Sequence, residues 1–249
     1  MSLGLAALAT APGLAIGSFL TVVAARVPAH RSIVRPGSAC PSCSTEIAWH
    51  DNVPLLSYIL LRGRCRHCSA RIPLRYPLLE LLTALLIGGS VLRFGLSLEA
   101  LTAAVFCAVL VVLSAIDIEH RIVPNRIVLP AAGVVLALQL VREPSVEWPL
   151  AALAAAGALL LAALAYPKGL GMGDVKLALL LGAMLGSTVA VALGVGILAA
   201  LVPAILLLVR HGAKARKMGI PFAPFLALGG VVALFAGDSL LDWYLGLGG

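Results

Sequence analysis

A chain of 249 residues in which 61% are hydrophobic and only 12% charged, with a mean hydropathy of +1.06, cannot bury its apolar surface in one water-soluble core. A soluble globular enzyme is therefore excluded, and the lipid bilayer becomes the solvent to reason in. The net charge of +7 does not point to nucleic acid, because its placement along the chain follows membrane topology instead.

Apolar runs of roughly 20 residues, the length a bilayer requires, predict helices near residues 3–24, 77–95, 98–117, 126–142, 148–166, 175–186, 188–209 and 221–246. The expected fold is an all-α polytopic membrane protein of about eight transmembrane helices, the fourth and sixth short. A cytoplasmic loop over about 26–75 follows the first helix. That first run has no basic segment before it and carries Pro12, Gly13 and Gly17, so it reads as a membrane helix and not as a cleavable signal. The expected division is an N-terminal part, 1–95, and a six-helix membrane core, 96–249.

If successive helices alternate in direction, one membrane face receives sixteen of the eighteen Lys and Arg residues. They are the eight arginines from Arg26 to Arg75, then Arg121, Arg126, Lys168, Lys176, Arg210, Lys214, Arg216 and Lys217. Arg93 and Arg142 fall on the other face. The positive-inside rule makes the basic face cytoplasmic and points both termini outward.

Two carboxylates then stand out at that face: Asp117, ending the third predicted helix, and Asp174, beginning the sixth. An ionisable group at a membrane boundary is expensive, so function is its default reading. Of the other acidic residues, Glu99, Glu143, Glu147, Asp238 and Asp242 fall on the outer side, and Glu46 and Asp51 lie in the loop. Glu119, two residues past Asp117, is turned about 200° away on a continuing helix. Glu80 opens the second helix, where the dipole favours a carboxylate, and reads equally as a cap or as a functional group.

Two carboxylates within a few Å cannot both ionise easily, so the pair can hold one proton and act as general acid and general base on a bound water. This is aspartic peptidase chemistry. The helix ends suggest Asp174 as base and Asp117 as proton carrier, since an N-terminus favours an anion and a C-terminus does not. Gly169, Gly171 and Gly173 leave room for a turn into the membrane and for close approach of an extended substrate. Pro124 keeps the segment after Asp117 from continuing as helix. Against this, Asp174 could cap its helix, Lys176 reads best as a snorkelling interfacial anchor, and the glycines lack the Gly-Lys-Ser/Thr ending of a phosphate loop.

The loop carries Cys40-Pro-Ser-Cys43 and Cys65-Arg-His-Cys68. Two such knuckles predict a tetrahedral four-thiolate zinc site, and the reducing cytoplasm argues against disulfides. With four sulfurs bound, no position stays open, so the zinc would be structural. His67 reads as exposed and Cys107 as a small packing residue.

Several blocks occur in order from about residue 13 to 230: Gly13 to Pro28, the double Cys-x-x-Cys loop, Asp51-Asn-Val-Pro54, Arg75-Tyr-Pro-Leu-Leu-Glu80, Asp117 to Pro124, Gly171-Met-Gly-Asp-Val-Lys176 and Ile220 to Gly229. Together they resemble the bacterial type IV prepilin peptidases. The resemblance implies an aspartic, intramembrane-type peptidase of the bacterial cytoplasmic membrane that removes the basic leader of type IV prepilins or pseudopilins at the cytoplasmic face. It implies Asp117 and Asp174 as the catalytic pair, within a loop containing Gly171, Gly173 and Lys176. Many such enzymes also methylate the new N-terminus with S-adenosylmethionine, which the resemblance associates with the N-terminal part; Glu80 is a candidate residue there. The sequence departs from the family's usual residues at Thr21 for Asn, Ala84 for Gly and Ala223 for Gly. Two other classes stay in view: a proton-coupled transporter, and a zinc-scaffolded membrane adaptor. The sequence names neither the pilin system served nor an oligomeric state.

Overall fold

The computed structural model describes residues 3–167, 169–212 and 219–246; Lys168, Lys214, Arg216 and Lys217 of the basic face lie outside them. Among the described residues there are helices and turns and no strand, with nine α-helices: α1 Leu3–Arg26, α2 Leu56–Leu60, α3 Arg75–Phe94, α4 Leu98–His120, α5 Asn125–Arg142, α6 Glu147–Ala165, α7 Met172–Leu185, α8 Val189–His211 and α9 Ala223–Gly246. Seven segments are long and apolar enough to cross a membrane, the seventh-to-eighth helix region Met172–His211 counting as one. The protein is a multi-pass membrane protein. Eight long helices answer the expected eight, with two differences. The sixth long helix begins at Met172 and not at 175, so Asp174 is its third residue, and the loop contains α2 and a single 3-10 turn, Trp49–Asn52, which hydropathy alone did not signal.

The chain forms two compact units, residues 1–115 and 116–249, the division falling inside α4. In the first, α1 and α3 pack antiparallel through glycine. A Cβ on Gly13 would sit 2.8 Å from Ala84 Cα, and one on Gly17 would sit 2.7 Å from Glu80 Cα. Glycines four apart expose a bare helix stripe and let backbones touch, which substitutes for the hydrophobic driving force that lipid cannot supply. Ala84, where the resembled family has Gly, is thus one wall of this crossing. Arg26 ends α1 and donates to Ser32 O and Gly37 O, tying the helix to the loop.

In the second unit α7 is central: nine of its fourteen residues are buried, among them Leu177, Leu180 and Leu181. At 1.5 Å per residue it is about 21 Å long, short for a lipid-facing span. Neighbouring helices cover it instead. A Cβ on Gly182 would overlap Ala151 O of α6, and Gln139 of α5 donates to Met184 O at 2.7 Å. Gly186, at φ +56°, ends the helix, and Glu147 at the start of α6 accepts the Ser187 N–H at 2.9 Å. Helices α8 and α9 run antiparallel, with Gly229 against Ala192 and Gly196 against Leu226.

Candidate active site and metal centre

Asp117 lies one turn before the end of α4 and is 6% exposed, whereas Glu119 is exposed. Helix α4 closes at Arg121, whose φ is +54° and whose N–H returns to Asp117 O at 2.9 Å. Pro124 then begins α5 from an extended conformation, as its fixed φ and missing N–H favour. The carboxylate of Asp117 does not face an empty helix end. Its Oδ2 accepts the N–H of Ala223, the first residue of α9, at 3.0 Å, and Arg121 lies within electrostatic reach. Asp117 therefore sits at the N-terminus of α9 as well as near the C-terminus of its own helix. The sequence argument that divided the two aspartates by helix end does not separate them here, because both meet a helix N-terminus.

Asp174 is partly buried at the third position of α7. Its Oδ2 accepts the Gly171 N–H at 3.0 Å, and its own N–H returns to Gly171 O at 3.1 Å. The capping alternative is thus realised, through reciprocal bonds at the first turn. Capping engages Oδ2 and does not exclude chemistry, since Asp174 also lies within electrostatic reach of Asp117.

The glycines before Asp174 have separate reasons. A Cβ on Gly173 would come 2.9 Å from Val123 Cβ, so α7 starts hard against the segment that leaves α4. Gly169 lies under the ring of Tyr166, which a Cβ would overlap. Gly171 has ordinary φ of −89° and would meet nothing closer than Asp174 Oδ2 at 3.5 Å, so its bareness leaves the approach to Asp174 open. Lys176 donates from Nζ to Asn125 Oδ1 at 2.7 Å, joining the first turns of α7 and α5. Val123 and Asn125 escaped sequence reasoning, and Ala223 was noted only as a departure from the resembled family, without its bond to Asp117. The Pro-rich block around Ala223 was visible, but an amide carries no side-chain signature of what it will face.

In the first unit, the two knuckles are built alike. Cys40 N–H bonds Thr45 O and Ser44 N–H bonds Cys40 O; Cys65 N–H bonds Ala70 O and Ser69 N–H bonds Cys65 O. Ser44 and Ser69 both take positive φ, and antiparallel bridges Ala39–Glu46 and Arg64–Arg71 close the two turns. The Sγ atoms of Cys40, Cys43, Cys65 and Cys68 lie within 4.8 Å of one another and could hold a metal ion. Cys40 and Cys68 Sγ are 3.8 Å apart, far beyond a disulfide and close to the edge of about 3.8 Å that a tetrahedron of 2.3 Å zinc–sulfur bonds requires. Hydrogen bonds from Thr45 lower the Cys43 thiol to about 6, and the N–H groups of Cys68 and His67 lower Cys65, so these two favour thiolates. Cys68 is pushed up to about 11, the bond from Ala70 being outweighed by burial and by its contacts with the other three sulfurs. His67 is exposed and Cys107 is buried.

Arg66, inside the second knuckle, forms a bidentate pair with Asp51 at 2.7 and 2.5 Å. Glu80 is the sixth residue of α3, beyond the first turn, and does not cap its helix: it is buried and accepts the Leu55 N–H at 2.9 Å. A cavity of about 290 Å³ lies between α1, α3 and the loop, with Ser18, Thr21, Glu46, Tyr58, Tyr76 and Glu80 among its lining residues.

Residues 12–94 match the family described as "Bacterial Peptidase A24 N-terminal domain", and residues 104–209 match the "Type IV leader peptidase family". A Bacillus subtilis protein named prepilin leader peptidase/N-methyltransferase is 37% identical over 94% of this chain and 95% of its own. Proteins of the same name are 50% identical in Myxococcus xanthus, over 51% of this chain and 39% of that protein, and 36% identical in Burkholderia pseudomallei, over 95% and 86%. No solved structure matches the chain.

Proposed function

The chain belongs to the type IV leader peptidase family, and on that premise we propose that it is a membrane aspartic endopeptidase whose catalytic pair is Asp117 and Asp174. The supporting observation is that two carboxylates 57 residues apart are brought within electrostatic reach of each other, each fixed through one oxygen by a backbone N–H at a helix start. A pair sharing one proton activates water: the ionised carboxylate takes a proton from the attacking water while the protonated one donates to the scissile carbonyl oxygen. The N–H bonds hold Oδ2 of each residue in place, which leaves Oδ1 for water and substrate. Gly171 keeps the route to Asp174 bare, and Lys176, held by Asn125, stiffens the same turn.

The substrates are type IV prepilins or the related pseudopilins; the relatives' names carry prepilin and the matched family carries type IV. Sixteen of eighteen basic residues on one face orient the membrane core, 96–249, with its aspartates toward the cytoplasm of a bacterial inner membrane, where a basic leader would also remain. Family membership leaves the transporter and adaptor readings without support.

The metal is Zn²⁺, held by Cys40, Cys43, Cys65 and Cys68 in a closed structural site; four sulfur donors within 4.8 Å of one another, one pair of them 3.8 Å apart, fit that ion best. The second activity carried by the relatives' names, N-methylation, belongs to the N-terminal part, 1–95. The cavity there fits S-adenosylmethionine by its chemistry: Tyr58 and Tyr76 bring aromatic rings to its lining, Glu46 a carboxylate for a cationic centre, and Ser18 and Thr21 hydroxyls. Such a donor supplies an electrophilic methyl group. Glu80 holds Leu55 and so fixes one wall of the cavity.

Co-expression with a prepilin bearing a basic leader, with mass spectrometry of the product N-terminus, tests both activities. Leader loss by wild type alone, and not by Asp117→Asn or Asp174→Asn, supports the aspartate pair; cleavage by either variant overturns it. An added methyl mass reports the second activity.

A further inference from the structure

The loop between α1 and α3 is polar overall and carries the metal cluster, yet its short helix α2 turns apolar side chains outward. Ser57 is buried and Tyr58 lines the cavity, whereas Leu56, Ile59 and Leu60 are 53%, 69% and 71% exposed. Water is a costly environment for three such apolar neighbours.

Depth indicates what covers them. The Leu55 N–H that starts α2 is held by Glu80, which lies five residues inside the membrane segment beginning at Arg75, or about 7.5 Å along the helix axis. The cavity that Tyr58 and Leu61 line is also lined by α1 from Arg26 down to Ser18, eight residues and about 12 Å inside the other span. The start of α2 is therefore level with the ends of two membrane helices. At that depth a free backbone N–H is expensive, and Glu80 satisfies the one that precedes α2. Exposed Arg62 and Arg64 follow directly, as basic residues do beside anionic headgroups. Trp49, 83% exposed in the turn before α2, is of the type enriched at membrane interfaces.

We propose that α2 is a membrane-interfacial element: Leu56, Ile59 and Leu60 insert among the acyl chains of the leaflet in which α1 ends and α3 begins, with Arg62 and Arg64 at its anionic headgroups. The cavity then opens at the lipid boundary, and the metal cluster is anchored to the membrane by this surface as well as by the two flanking helices. The inference stands independently of which reaction the chain performs.

The test uses the full chain in nanodiscs of phosphatidylcholine and phosphatidylglycerol. A photoreactive p-benzoylphenylalanine replaces Leu56, Ile59 or Leu60 in turn, and Leu85, exposed within α3, serves as the reference. Illumination and mass spectrometry are expected to give phospholipid adducts at Ile59 and Leu60 within about threefold of the Leu85 yield. Lipid adducts at Leu85 alone, with α2 positions giving only adducts to protein or none, would overturn the proposal. Because three α2 positions are probed, failure of one variant to assemble leaves the other two decisive. Prepilin cleavage by the same variants is read separately, so loss of the peptidase assignment and loss of the lipid contact are distinguishable.

Discussion

Asp117 Oδ2 and the N–H of Ala223, 106 residues apart in sequence, meet at 3.0 Å and join the end of α4 to the first residue of α9. Asn at position 117 can still accept that N–H but cannot exchange a proton with water. Asp117→Asn should therefore fold normally and lose at least about 10³-fold in cleavage rate, as Asp174→Asn should. Ala223→Pro removes the donor at a helix position that tolerates proline, and adds a ring at a site that is 0% exposed and already followed by Pro224. About a tenfold loss of kcat is expected for it, with the helix content unchanged by circular dichroism.

Gly173 and Val123 provide a reciprocal test of how the aspartates are brought together. The added methyl of Gly173→Ala would lie 2.9 Å from Val123 Cβ, an overpacking worth about 1–3 kcal/mol. Displacing Asp174 by even 1 Å should cost about 10²-fold in rate. The double variant Gly173→Ala with Val123→Gly, which removes the Cβ that the new methyl would strike, should recover most of it. Equal activities of the single and double variants would show that this contact does not position Asp174.

The helices and the paired Cys-x-x-Cys turns were legible because each is written in side-chain type and spacing, and the same reading singled out the two aspartates as candidates. What holds them was not. The Asp117–Ala223 bond depends on a backbone N–H, which every residue but proline offers, and the Glu80–Leu55 bond spans 25 residues with no pattern linking its ends. Gly171 and Gly173 look alike in sequence, yet only Gly173 is pressed against a neighbour. The start of α7 also came three residues early, since Met172 and Gly173 are held helical by the reciprocal Gly171–Asp174 bonds and not by hydropathy.

The four thiols predict one metal ion per chain. Elemental analysis of purified protein should give about one equivalent of zinc, and Cys43→Ser or Cys65→Ser should abolish it. The matched knuckles mean that neither half holds the ion alone. Hydrogen exchange over residues 38–72 should rise on chelation or in either variant, while residues of α7 keep their protection.

Asp51 and Arg66 give the loop a pH dependence with a definite sign. The Arg66 guanidinium holds the Asp51 carboxyl below its ordinary value of 3.8. A depressed acid stabilises the folded loop at pH above the unfolded value and loses that contribution as pH falls through the lower, folded value. The difference in hydrogen exchange between wild type and Asp51→Asn over residues 49–67 should be constant from pH 7 to about 5, begin to fall near 3.8 and vanish only below the lower, folded value. Taking the difference removes the acid sensitivity of the thiols, which both proteins share. A difference that grows on acidification would rule out the pair as its source.

Glu80 separates a positioning role from a chemical one. Its carboxylate accepts the N–H of Leu55, a residue at φ +57° that starts α2 beside the cavity. Glu80→Gln keeps an acceptor oxygen at the same reach, whereas Glu80→Ala leaves the N–H unsatisfied at a cost of about 1–3 kcal/mol. If Glu80 only fixes the loop, Gln should retain methylation and the lipid contact of Ile59 while Ala weakens both, raising the methyl donor's KM more than it lowers kcat. If the carboxylate charge itself acts on the donor or the amine, Gln should fail as badly as Ala in kcat while Leu55 keeps its exchange protection. Prepilin cleavage should be unaffected by Glu80→Gln in either case, because the aspartates lie in the other compact unit.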